Sequence, residues 1–101
     1  MKKEMQQIDP KRPVYTIGVV SELVGLCPRT LRFYEEVGLI RPARSRGNIR
    51  LYSQYDVEVL RRIVYLTQEL KVNLAGVKVI LQMEESRRSV VTEESLAPDE
   101  E

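Results

Sequence analysis

The chain has 101 residues, 16 of them Lys or Arg and 15 Asp or Glu, for a net charge of +1, with one cysteine and no histidine. That length supports a single domain with a modest core, and no apolar run approaches the ~18 residues that a membrane span requires. One cysteine excludes an internal disulfide, and the lack of histidine removes the usual general base at neutral pH.

The remaining chemistry argues against an enzyme. Cys27 has no second thiol or imidazole with which to build a zinc or redox centre, so no metal or other cofactor is expected. Its expected place is a small buried residue between two helices, although a helix start can lower a thiol pKa. Glu35-Glu36 and Glu84-Glu85 are adjacent pairs that point in different helical directions. No glycine-rich phosphate loop occurs. Met1 to Asp9 lacks the apolar stretch of a secretory leader, and a cytoplasmic, reducing location is expected.

The small net charge hides a division. Lys11 to Arg50 holds eight basic residues against three acidic ones, whereas Glu84 to Glu101 holds seven acidic against two basic. A basic first half fits a polyanion partner, the alternative being an ordinary solvated surface.

Residues 1–11 show no periodicity and read as a flexible arm. Arg12 to Thr16 reads as extended, since a residue before proline avoids the helical region and Val-Tyr-Thr favours strands. Thr16 is placed to cap a first helix whose buried stripe is Ile17, Val20, Leu23 and Val24. Gly25 is placed to end it in a left-handed turn with Leu26 packing back. Pro28 then opens a second helix, at the position where its missing N–H costs nothing. On that helix Arg29, Arg32 and Phe33 project to one side and Leu31, Tyr34 and Val37 broadly to the other. Two helices joined by a short glycine turn form the helix-turn-helix signature, which is weak evidence by itself.

Gly38 ends the second helix, Leu39-Ile40 is an apolar anchor, and Arg41-Pro42 turns the chain. Ala43 to Tyr52 reads as a hairpin turning at Ser45-Arg46-Gly47-Asn48. Beside a helix-turn-helix, such a hairpin is a wing, from which Arg44, Arg46 and Arg50 can reach phosphates or a minor groove. Otherwise its arginines merely keep the edges soluble. Ser53 and Asp56 form a capping box for a third helix with an inner face of Val57, Leu60, Ile63, Val64, Thr67 and Leu70. Asn73 caps a fourth, with Leu74, Val77, Ile80 and Leu81 inside. Gly76 within it costs roughly 1 kcal/mol against alanine, which points to close packing. Beyond Glu84 the apolar pattern fades, and residues 85–101 read as an acidic, disordered tail, with Val90, Val91 and Leu96 as the alternative of a short docking segment.

Thr30-Leu31-Arg32-Phe33-Tyr34-Glu35, Gly38-Leu39-Ile40-Arg41-Pro42 and Arg50-Leu51-Tyr52-Ser53, followed by Asp56 and Leu60, together resemble the MerR family of bacterial transcription regulators. The resemblance covers about Tyr15 to Glu84. It implies a mainly α, winged helix-turn-helix fold of four helices with a two- or three-stranded sheet over residues 12–84. It also implies a homodimer on an inverted-repeat operator in double-stranded DNA, with promoter deformation repaid by contacts. Val14-Tyr15, Leu26 to Arg32 and Val72 to Lys78 are similar to the heat-shock repressor branch (HspR), for which the chaperone DnaK is the implied co-repressor. Ala43-Arg44-Ser45 and the Asn73 segment are also similar to the nitrogen-regulator branch (GlnR and TnrA), controlled by the enzyme glutamine synthetase.

On this reading Arg29, Thr30 and Arg32 reach the major groove. Tyr34, Arg44, Arg46, Asn48, Arg50 and Tyr52 hold the backbone or the groove flank. The first aromatic of the family's usual tyrosine pair is here Phe33, which has no hydroxyl to donate. Eighteen residues follow Met83, too few for the long dimerising coiled coil of the family's sensor proteins, so the arm or the fourth helix is expected to join the dimer. A protein-interaction adaptor of the same fold and an excisionase-type architectural protein are the remaining alternatives.

Overall fold

The computed structural model describes residues 9–96, with side chains placed as far as Arg87. The elements in order are α1 (Ile17–Val24), α2 (Pro28–Glu36), β1 (Ala43–Arg44), β2 (Arg50–Leu51), α3 (Gln54–Val64), one π turn (Tyr65–Glu69) and α4 (Leu74–Leu96). Four helices and a small antiparallel hairpin are the architecture that the motifs imply. The chain divides into two compact units, one ending at Tyr65 and the other starting at Leu66.

In the first unit, α1 packs on both α2 and α3. Its start is held by the Thr16 hydroxyl, which accepts from the Val19 N–H at 3.4 Å. Its end is Gly25 at φ 76°, a backbone conformation available to glycine at little cost. The core collects Val20, Leu31, Tyr34, Leu39, Ile40, Tyr52, Val57, Leu60 and Ile63. Complete burial of an aliphatic side chain of this kind contributes about 1.5–3 kcal/mol as an upper value. Leu23, expected in the α1 stripe, is instead exposed. A helix of eight residues has room for about two turns of contacts, and Leu23 lies off the line through Val20.

The capping box of α3 is complete. The Ser53 N–H donates to Asp56 Oδ2 at 2.9 Å, and the Asp56 N–H donates to Ser53 Oγ at 3.0 Å. Just before it, Tyr52 and Tyr15 exchange backbone hydrogen bonds of 2.7 and 2.8 Å, so the sheet has two strands plus a single bridge. The end of the N-terminal arm is tied down rather than free. The Tyr55 N–H donates to the Pro10 carbonyl at 2.9 Å, and the Lys11 ammonium lies 5.3 Å above the Tyr55 ring. Residues 1–8 of the arm lie outside the described residues.

In the second unit, Leu66 and Val77 are buried. Leu70, placed by α-helical spacing on the inner face, is exposed. The π turn is the cause: its i→i+5 bonds widen the turn and rotate the next side chains out of α register. Asn73 caps α4 through Oδ1, which accepts from the Gly76 N–H at 2.8 Å. A Cβ on Gly76 would stand 2.8 Å from Val72 Cγ1, so any larger residue there would force the Val72 side chain to shift. The helix then continues to Leu96, through the first part of the stretch read as a disordered tail. Between Gly76 and Leu96 there is no glycine or proline, and Glu, Arg, Leu, Met and Gln are good helix formers, so backbone preference suffices where the apolar pattern fades. The side chains of Val90, Val91 and Leu96, and residues 97–101 altogether, lie outside the described residues.

Candidate nucleic-acid interface

α2 is set by its ends. Cys27 precedes Pro28 in extended conformation, and the helix closes before Gly38, whose φ of 83° reverses the chain. The Leu39 N–H donates to the Tyr34 carbonyl at 2.9 Å, which fixes Leu39 and Ile40 in the core. With Leu31 and Tyr34 buried, Arg29, Arg32 and Phe33 are left exposed, as the helical spacing predicts. Among the described residues neither Arg29 nor Arg32 has an ion-pair partner.

The wing is a five-residue loop, Ser45 to Ile49, between two short strands. The Asn48 N–H donates to the Ser45 carbonyl at 2.9 Å, and the Ile49 N–H donates to Ser45 Oγ at 3.2 Å. Asn48 takes the left-handed conformation, at φ 65°, which asparagine tolerates better than most residues. Arg46 and Asn48 are exposed at the turn.

Arg44 and Arg50 face one another across the hairpin. Like charges opposite each other repel, and here a carboxylate joins them. Arg50 Nε donates to Glu35 Oε1 at 2.6 Å, and Arg44 Nη2 donates to Glu35 Oε2 at 3.2 Å. Arg44 Nη1 also donates to the Asn48 carbonyl at 3.2 Å, bracing the turn. Glu35 belongs to α2, so this cluster fastens the wing to the helix. The Arg50 hydrogen bond, ahead of the charges of Arg50 and Arg44, holds the Glu35 carboxyl below the usual carboxylate range against a smaller opposing effect of burial.

The two elements share one surface. Arg29, Thr30, Arg32, Phe33, Glu36 and Arg50 line an open concavity of about 490 Å³. Three arginines therefore border a single hollow, with Phe33 and Glu36 among them. The predicted site residues divide accordingly. Arg29, Thr30, Arg32 and Arg50 meet in this hollow, Arg46 and Asn48 are exposed at the wing turn, and Arg44 is engaged in the cluster.

Tyr52 is a correction. Tyr52 is 0% exposed, and its hydroxyl has no hydrogen-bond partner among the described residues. Burial pushes its pKa up. β2 ends at Leu51, and Tyr52 turns into the bridge with Tyr15, so strand alternation does not carry its ring to the side of Arg50. Tyr34 is 7% exposed, because it lies on the α2 face that enters the core with Leu31. Cys27 departs from expectation in the other direction. Its thiol is exposed, since it precedes α2 rather than joining the core. It lies 3.3 Å from Thr30 Oγ1, and that hydrogen bond, followed by one from the Thr30 backbone, lowers its pKa.

Glu35 is the residue that sequence reasoning missed. The signal was present: a hairpin turning at residues 45–48 sets Arg44 against Arg50, and such a pair calls for an acidic neighbour. No group of metal-binding side chains occurs among the described residues, and no helix there is long and apolar enough to cross a membrane.

Comparison with known proteins agrees with the geometry. Residues 15–84 match the family model described as MerR HTH family regulatory protein. The chain is 47% identical over 72 residues to a putative heat shock protein HspR of Streptomyces coelicolor, an alignment covering 71% of this chain and 48% of that protein. It is 40% identical over 79 residues to the HTH-type transcriptional regulator GlnR of Bacillus anthracis, covering 78% of this chain and 60% of that one. The chain thus spans about half to three fifths of the length of these relatives. A crystal structure of a MerR family transcriptional regulator from Bacillus cereus superposes with a TM-score of 0.61 at 22% identity, covering 80% of this chain and 69% of that one. A second, of HiNmlR, a MerR family regulator lacking the sensor domain, bound to promoter DNA, gives the same score and identity and covers 67% of that chain. These are families of regulators, not of enzymes, and the chain belongs to the MerR helix-turn-helix family of regulatory proteins.

Proposed function

We propose that this protein is a sequence-specific transcription regulator, a repressor that binds an inverted-repeat operator in double-stranded DNA as a homodimer in the cytoplasm. The observation that carries the reading is the hollow bordered by Arg29, Arg32 and Arg50, in which both α2 guanidinium groups are exposed and without ion-pair partners among the described residues. Two guanidinium groups three residues apart on one helix suit the O6 and N7 acceptors of guanine in the major groove. Thr30, half-buried beside them, is placed for a shorter contact. Arg46 and Asn48 at the wing turn take the flanking phosphates, and these contacts set register without carrying sequence information. Arg44 and Arg50 keep the wing at a fixed angle to the helix through Glu35.

In this reading residues 12–84 serve as the DNA-binding domain. The dimer forms through α4 or the N-terminal arm, or is completed on the DNA. The 47% identity to a heat shock protein favours operators of chaperone genes, with a DnaK-type chaperone as co-repressor. A second reading, a nitrogen-metabolism regulator partnered by glutamine synthetase, is favoured by 40% identity to GlnR and by 52% identity over 52 residues to TnrA of Bacillus subtilis.

Selection of bound duplexes from a random library tests the function. A recovered palindrome matching a chaperone promoter is the expected outcome, and one matching a glutamine synthetase promoter supports the second reading. Recovery of no common sequence, together with binding of either partner protein in the absence of DNA, would replace the regulator with an adaptor.

A further inference from the structure

We infer that Phe33 determines specificity by packing its ring on a thymine C5-methyl group in the major groove. The inference rests on the DNA-binding reading and adds an apolar contact to a site otherwise described by charge.

Phe33 is 44% exposed although it is the only phenylalanine in the chain and the buried face of α2 lies beside it. It stands four residues after Arg29 and one after Arg32, on the wall of the hollow that both arginines border. Its ring touches Tyr34 only obliquely, with centroids 6.3 Å apart and planes tilted by 48°, so the outward part of the ring is free to meet a partner. A phenyl ring has no donor for a phosphate and no acceptor for a cytosine or adenine amine. Each base pair presents its own set of groups on the major-groove floor, and the apolar one among them is the thymine methyl. A helix that places Arg29 and Arg32 against base edges brings the Phe33 ring to the same depth, where burying that methyl excludes water from both apolar surfaces. Glu36, on the same wall, disfavours a phosphate as the partner of this stretch.

Replacing thymine by uracil removes only the methyl group, which makes the test direct. The full chain is titrated with its selected duplex and with versions carrying deoxyuridine at each thymine of the half-site in turn. Wild-type protein is expected to lose about fourfold in affinity at one such position, and roughly fifteenfold when both half-sites are changed there, on the scale of one buried carbon group. Phe33→Ala should bind the thymine duplex at the reduced level and be indifferent to uracil, while Phe33→Leu should retain most of the preference. The scan on wild-type protein stands even if a variant does not fold. Equal affinity for every uracil duplex, or a uracil effect that persists in Phe33→Ala, would overturn the assignment while leaving the regulator intact. Equal binding of selected and scrambled duplexes would sink both.

Discussion

The outward face of α2 and the wing beyond it carry arginines at similar density, yet the two sets are held differently. On α2, Arg29 and Arg32 are exposed and lack ion-pair partners among the described residues. On the wing, Arg44 and Arg50 converge on one carboxylate, Glu35, at 3.2 and 2.6 Å, and only Arg46 extends from the turn. The contrast shows that a count of basic residues overstates the charge available to a polyanion. Part of that charge is used internally, to hold a hairpin of two-residue strands that its own ladder could not keep in place. Glu35 and the α2 arginines of the hollow lie on the same short helix, so the wing is fastened to the element that carries those arginines.

The sharpest way to break this contrast is to remove the unpaired charges. Arg29→Ala and Arg32→Ala are each expected to weaken operator binding by about 1–3 kcal/mol with little change in thermal stability, measured by duplex titration and calorimetry. Next in size is the anchor. Glu35→Gln leaves Arg44 and Arg50 opposed without a counter-charge and should cost about 1–2 kcal/mol of folding stability.

Acid should act at the same place. Because the folded-state pKa of Glu35 is depressed, its contribution is present above the ordinary carboxylate range and lost as pH falls through the folded value. Denaturation midpoints taken from neutral to acid pH should therefore converge for wild type and Glu35→Gln. If they stay parallel, the cluster contributes nothing to wing stability.

Smaller still is Arg46→Ala. It should lower affinity equally for operator and scrambled duplexes and make the plot of log affinity against log salt shallower by about 1, the mark of one lost phosphate contact. The smallest effect belongs to Tyr52→Phe. Removing a buried hydroxyl without a partner should leave stability unchanged or raise it by up to about 1 kcal/mol, with operator binding intact. Loss of binding by this variant would return Tyr52 to the interface.

The features legible in the sequence were local. Thr16, Gly25, Pro28, Gly38, the Ser53–Asp56 box and Asn73 each mark an element boundary through chemistry that acts within about four residues, and each marks it in the structure. The outward set Arg29, Arg32 and Phe33 came from helical spacing in the same way. The features that were not legible depend on pairing across distance. Glu35 meets Arg44 and Arg50 nine and fifteen residues further on, and periodicity within α2 carries no information about such a meeting. Tyr52 shows the same limit: alternation along a strand predicts a direction only while the strand lasts, and β2 stops one residue earlier. The π turn after Val64 shifts the register of the residues beyond it, so α-helical spacing misplaced Leu70.

The division of labour between the two arginine sets is tested most directly by the ratio of operator to scrambled-duplex affinity, measured at one salt concentration for Arg32→Ala and Arg44→Ala. A base-reading Arg32 predicts a ratio at least about fivefold lower for Arg32→Ala, whereas Arg44→Ala should keep the wild-type ratio and lose thermal stability instead. An unchanged ratio for Arg32→Ala, with the loss of discrimination appearing in Arg44→Ala, would contradict the account.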